Sequence, residues 1–219
     1  MSWFVFLGQK MHKKSINIFD LDGTILKGNS FHSYVIFLFK SFVLSGRFIK
    51  AFSLLWLLGL RKARRLDHYQ LKQGVINIAA GLSAKKNEKF ARRLANQCNQ
   101  RLSELSASYN DKDECRVLAT AAPWNYAQYL KGFLKFDLVI ASEYIDDVYI
   151  ERIRENKADA IEEMLRQYSA EFSTFFTDHH DDIFAARLAS RVILVDPNEK
   201  TVQKFDDEKI NYLLHRFAL

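Results

Sequence analysis

The chain has 219 residues, 48% of them apolar, two prolines and a formal net charge of +6. Such a composition excludes a disordered chain, and the lone Cys98 and Cys115 lack the spacing of a metal site and imply a reduced setting. The length suits one sizeable core, alone or with a small second domain, and the mild excess of base suits an anionic substrate or a membrane surface.

Residues 1–12 read as an N-terminal extension outside the fold. The run Trp3-Phe4-Val5-Phe6-Leu7 is too short for a signal-peptide core and has no basic residue before it, while Met11 stands just ahead of Lys13-Lys14 and the first strand. Ile16 to Phe19 is predicted as a buried strand, ended by the turn signal Asp22-Gly23-Thr24. From Phe31 to about Tyr109 the pattern is helical, with Gly46, Gly59, Gly74 and Gly81 as expected breaks. From Arg116 the texture changes. Strands are predicted at Val117 to Ala119, Phe136 to Ala141, Phe172 to Thr177 and Arg191 to Val195, with helices after Pro123 and over Asn156 to Tyr168. Strands alternating with helices of this length indicate βαβ units and a parallel sheet. The expected architecture is an α/β core, a Rossmann-like parallel sheet with helices on both faces, from residues 13–27 and 116–219. A helical insertion over 28–115 interrupts it. No uninterrupted apolar run reaches the roughly 18 residues of a membrane span.

Four places along this chain can carry chemistry, each at a strand's C-terminal end or a helix start, the edge where open α/β sheets bind ligands. In Phe19-Asp20-Leu21-Asp22-Gly23-Thr24, two acids at i and i+2 point the same way from an extended chain. One suits a nucleophile and the other a general acid/base, with a cation beside them. The plain alternative is a polar turn; an EF-hand loop is disfavoured because glycine and the final acid fall at the wrong positions. In Leu118-Ala119-Thr120-Ala121-Ala122-Pro123, the Thr120 hydroxyl and the backbone N–H groups around Ala121 can meet a phosphate oxygen, or Thr120 is an ordinary helix cap. Lys157, beside Asn156 at a helix start, can neutralise a phosphate, or is a solvated surface lysine. In Thr177-Asp178-His179-His180-Asp181-Asp182, crowded acids call for a cation, and oxygen ligands favour Mg²⁺ over zinc. The paired histidines leave zinc as the lesser reading.

These motifs, in this order, resemble the haloacid dehalogenase-like (HAD) phosphohydrolases over nearly the whole chain from Lys13, and Phe-Asp-Leu-Asp-Gly-Thr is their most specific member. The helical insertion resembles the C1 cap of the phosphoserine phosphatase-like branch. The resemblance implies that Asp20 is the nucleophile and forms an aspartyl-phosphate. Asp22 protonates the leaving group, activates water and helps hold Mg²⁺. Thr120, Ala121 and Lys157 hold the phosphate, and Asp178 binds the metal with Asp20. Asp182 is the second acid of the metal loop, with Asp181 as the alternative. Thr177 replaces that family's usual glycine.

Phosphoserine phosphatases carry a Glu nine residues after the nucleophile; Asn29 stands there, which argues against phosphoserine. Tyr34 to Leu44 and Phe48 to Leu60 are very apolar, punctuated by Lys40, Arg47 and Lys50 and followed by Arg61-Lys62-Ala63-Arg64-Arg65. This reads as an interfacial membrane element or as a hairpin packed on itself, and its texture resembles phosphatidylglycerophosphate phosphatases of the same branch. The expected partner is a small-molecule or lipid phosphate, with membrane contact through the cap and no nucleic acid. The expected location is the cytoplasm or the inner face of its membrane. A phosphotransferase and a non-catalytic HAD-like scaffold are the competing readings, although a scaffold has no need of Asp20, Asp22, Lys157 and Asp178 together.

Overall fold

The computed structural model describes residues 15–109 and 115–217; the proposed extension, 1–12, lies outside them. Among the described residues the strands form one seven-stranded sheet: β1 (Ser15–Phe19), β2 (Cys115–Pro123), β3 (Leu138–Ile145), β4 (Val148–Ile150), β5 (Glu171–Thr177), β6 (Arg191–Val195) and β7 (Leu213–His215). Their order is β4-β3-β2-β1-β5-β6-β7, parallel throughout except for β4, which turns back on β3. The α/β fold class read from the sequence is the one observed.

Alternation along the strands builds two cores, one on each face of the sheet. Ile16 and Ile18 of β1, Val117 and Ala119 of β2, and Phe175 of β5 point to one face. There they pack on α6 (Glu155–Tyr168), the short α7 (Ile183–Ala186) and α8 (Glu199–Asp207). Phe19, Leu118 and Phe176 point to the other face, where Phe19 and Phe176 stack with ring centroids 4.3 Å apart. This second face carries α5 (Trp124–Leu134), and its core continues into four helices inserted between β1 and β2: α1 (Ser30–Leu44), α2 (Phe48–Lys62), α3 (His68–Ala79) and α4 (Ala84–Tyr109).

Local chemistry sets the helix starts. Asn29 caps α1 by accepting the His32 N–H, and Asp67 with Gln70 forms a reciprocal capping box at α3. Along α4, Phe90, Ala91, Leu94, Ala95, Cys98, Leu102 and Leu105 form one buried stripe. Gly46 and Gly81 fall between helices, but Gly59 and Gly74 do not: they lie inside α2 and α3. The reason at Gly74 is packing. A Cβ there would meet Leu57 Cδ1 at 2.8 Å, so the missing side chain lets α2 seat closely on α3. No helix of the described residues is long and apolar enough to cross a membrane.

Candidate active site

β1 is the central strand, and its C-terminal end delivers Asp20 to the middle of the sheet edge. The Asp20 N–H donates to the Phe176 carbonyl at 2.9 Å, fixing the chain as it leaves the sheet. The next residues fold into a tight turn, in which Gly23 N–H donates to Leu26 O and Leu26 N–H to Leu21 O, both at 2.8 Å. Gly23 has φ +84°, and a Cβ there would lie 2.0 Å from Asp178 Oδ2. Both its backbone and its neighbour therefore require glycine.

Four elements bring the expected residues together. Asp20 and Asp22 follow β1, Thr120 lies in β2, Lys157 comes from α6 and Asp178 follows β5. With Ala121 and Asp182 they line one cleft of about 320 Å³, to which Asn29, Phe31, His68 and Lys72 of the helical block also contribute. Lys157 is not a surface lysine. Its ammonium is buried, 2.9 Å from Asp20 Oδ1 and 2.6 Å from Asp182 Oδ1. Burial works against that charge, but Asp182 and Asp20 outweigh it and raise the lysine's pKa. Thr120 is not a helix cap: it sits within β2, and its Oγ1 accepts the Ala122 N–H at 3.0 Å.

The acidic loop divides its labour. Asp182 turns inward, with Oδ1 on Lys157 and Oδ2 accepting from Thr177 Oγ1 at 2.7 Å. Of the two acids weighed for the second place in this loop, Asp182 is the one that contacts the buried lysine. Asp181 borders the same cleft and pairs with Arg154 at 2.9 Å, and that hydrogen bond holds its pKa down against the effect of burial. Asp178 faces Gly23 and accepts from Thr24 Oγ1 at 3.4 Å. His179, His180 and Asp181 bring donor atoms within 4.8 Å of one another. His179 Nδ1, however, accepts the Asp181 N–H at 3.2 Å, and the Asp181 carboxylate is paired with Arg154.

Several contributors carried no sequence signal. Ser30 donates its N–H to Asp22 Oδ1 at 2.6 Å and its hydroxyl to Oδ2 at 2.9 Å, and that hydroxyl also meets Tyr126 OH at 2.9 Å. The N-terminus of α1 thereby holds Asp22. Arg101 of α4 donates to the Gly23 and Thr24 carbonyls at 3.0 and 2.9 Å and pairs with Asp196. Lys72 of α3 pairs with the buried Glu151 and donates to the Ala121 carbonyl at 3.2 Å. A lysine on the buried stripe Leu71, Val75, Ile76 and Ala79 was the one available hint.

The electrostatics are those of a crowded anionic site. Burial raises the pKa of Asp20 well above the usual carboxylate range, despite Lys157, and also raises that of Asp22. Burial and Asp182 push Asp178 up to about 7. Asp20 and Asp182 pair with Lys157, Asp22 and Asp178 line the same cleft, and the ammonium of Lys72 is taken by Glu151. Excess negative charge on these four carboxylates fits a hard divalent cation such as Mg²⁺.

Residues 18–187 match the sequence family of haloacid dehalogenase-like hydrolases. The chain belongs to that family. Solved structures share the HAD fold. A protein of unknown function from Bordetella pertussis Tohama I aligns with a TM-score of 0.68 at 18% identity, covering 92% of this chain and 98% of that one. A probable phosphoserine phosphatase from Vibrio cholerae gives 0.53 at 15%, covering 95% and 62%. A phosphoserine phosphatase captured as an analogue of its phospho-aspartyl intermediate gives 0.55 at 13%, covering 92% and 93%. At these identities the likeness is one of fold. A comparison with curated protein sequences finds no match.

Proposed function

We propose that this HAD hydrolase is a Mg²⁺-dependent phosphatase that cleaves a phosphate monoester through an aspartyl-phosphate on Asp20. The observation that carries the reading is the buried Lys157, clamped between Asp20 and Asp182 at the edge where Asp22, Thr120 and Asp178 converge. An Asp20 carboxylate oxygen attacks phosphorus and the bond to the ester oxygen breaks. Asp22, whose burial favours its protonated form, gives that oxygen a proton. Asp22 then takes a proton from water, whose oxygen attacks phosphorus and breaks the bond to Asp20. Lys157 works against the effect of burial on Asp20, favouring its charged, attacking form, and meets the phosphate oxygens. Thr120 and the backbone around Ala121 border the same position. Asp20, the Asp22 carbonyl and Asp178 would hold Mg²⁺, which when bound screens one anion's attack on another.

The favoured substrate is a lipid phosphate such as phosphatidylglycerophosphate, ahead of a small sugar or metabolite phosphate. Asn29 at the cleft offers no carboxylate to a substrate amine, which disfavours an amino-acid phosphate. The exposed apolar side of α2 favours the lipid.

The test is turnover of lipid, sugar and amino-acid monoesters with Mg²⁺, by the natural chain and by Asp20→Asn. The variant is expected to keep its fold and lose about 10³-fold or more in turnover, as when a covalent nucleophile is removed. Near-normal turnover in Asp20→Asn would overturn the mechanism, and preference for a water-soluble ester would overturn the lipid assignment.

A further inference from the structure

Helix α2 is predominantly apolar, yet only one of its apolar sides is used by the fold. Ala51 and Leu54 are buried, and Leu57 seats against Gly74 of α3. The opposite side carries Phe48, Ile49, Phe52, Leu55 and Trp56, spaced as one stripe along the helix. It faces outward: Ile49 is 85% exposed, and Phe48, Phe52 and Trp56 are 66, 67 and 61% exposed. Leu44 at the end of α1, 88% exposed, extends the patch. The hairpin packed on itself, one of the two readings of the sequence, accounts for the inner side alone. A contiguous apolar surface left in water marks a contact.

Charge says which contact. Residues 23–66 carry eight basic side chains and no acidic one, more than the +6 net charge of the whole chain. Arg47 and Lys50 are used locally, on the Gly81 and Ile78 carbonyls at the end of α3. Arg61, Lys62, Arg64 and Arg65 are exposed and make no ion pair among the described residues. A second copy docking through the same face would set these cations against their own counterparts. An anionic surface would neutralise them. At 15 residues α2 is too short to span a bilayer, so it would lie in the plane of the interface.

We propose that α2 docks this protein on an anionic lipid bilayer, with Phe48, Ile49, Phe52 and Trp56 at the acyl boundary and Arg61 to Arg65 among the headgroups. The turn that holds the cations leads directly into His68, which lines the catalytic cleft. Docking therefore sets the cleft beside the headgroup layer. This surface stands apart from the phosphatase chemistry and does not depend on it.

The test is flotation of the full chain with vesicles of phosphatidylcholine alone and of phosphatidylcholine mixed with phosphatidylglycerol. The chain is expected to float with the mixed vesicles at least about tenfold more than with the neutral ones, and less as salt rises. Neutralising Arg61, Lys62, Arg64 and Arg65 to Gln should lower binding by about 10²–10³-fold, each basic residue being worth roughly fivefold. Phe52→Glu with Trp56→Glu should abolish flotation and leave turnover of a soluble ester intact. Asp20→Asn should float like the natural chain, so failure of the phosphatase reading would leave this result standing. No flotation with either vesicle, or undiminished flotation of the double variant, would overturn the proposal. So would a lipid-free dimer that the double variant dissociates, which would assign the face to a second copy.

Discussion

Replacing Lys157 by methionine keeps an unbranched stem and removes the charge. Lys157, Asp20 and Asp182 have side chains only 3, 10 and 5% exposed, and the ammonium lies 2.9 and 2.6 Å from the two carboxylates. Removing one member of a buried ion pair costs about 3–5 kcal/mol, because the other is left buried without its partner. For a chain of this size that is a fall in Tm of about 6–20 °C. The cause predicts a pH signature. Without the lysine, Asp20 escapes its buried charge by binding a proton, so its folded pKa, already above the unfolded value of about 3.9, rises further. The folded variant then holds more protons than the unfolded chain, and stability falls as pH rises through that window. Urea unfolding with a chelator present, at pH 5 and pH 8, should show a small difference from the natural chain at pH 5 and the full loss at pH 8. An equal loss at both would refute the argument and make Lys157 a packing residue.

Gly23→Ala should cost about 1–2 kcal/mol for its left-handed backbone and displace Asp178, whose Oδ2 lies where the methyl would go; a Mg²⁺ titration of turnover should show a higher half-saturating concentration. Asp178, pushed up to about 7, must lose its proton to ligate a cation, so apparent Mg²⁺ affinity should strengthen as pH rises from 6 to 8. Calorimetry in buffers of different ionisation enthalpy counts that proton, and Asp178→Asn should remove it. Arg101→Met loses the hydrogen bonds to the Gly23 and Thr24 carbonyls. Thermal unfolding should register about 2–4 kcal/mol, and Arg101→Lys should recover under half, since a single ammonium cannot reproduce the fork.

What the sequence disclosed follows from the range of the interactions. Asp20, Asp22, Lys157 and Asp178 were legible because each sits where a strand ends or a helix begins, and those boundaries are written in local pattern. The strands Ile16–Phe19 and Arg191–Val195 were legible as apolar runs bounded by turn residues. Arg101 was not, because it lies in the middle of a long helix and its partners are a turn near residue 23 and Asp196 beyond β6. The short strands β4 and β7 gain their identity from pairing with β3 and β6 and have too few residues to show a period. Gly59 and Gly74 misled as breaks because glycine marks a close approach as readily as a turn. Asp182 and Asp181 were separable only once the loop's direction set one against Lys157 and the other against Arg154.

The pairing of β1 with β2 bears on how this chain folds. Ile16 lies opposite Cys115 in the central ladder, yet about 100 residues separate them. Closing a loop of that length costs about 1.2 kcal/mol more entropy than closing one of about 25 residues, the span of a simple βαβ crossover. The intervening helices are joined by short turns, with α1 on α2 and α2 on α3. Contacts so near in sequence form early, and once formed they shorten the effective tether between the two strands. The helical block, whose core holds Leu38, Phe42 and Val75, thus stands as a preformed bridge between β1 and β2 on this reasoning. Asp20 follows β1 directly, so its place at the sheet edge depends on a pairing that spans the whole helical block.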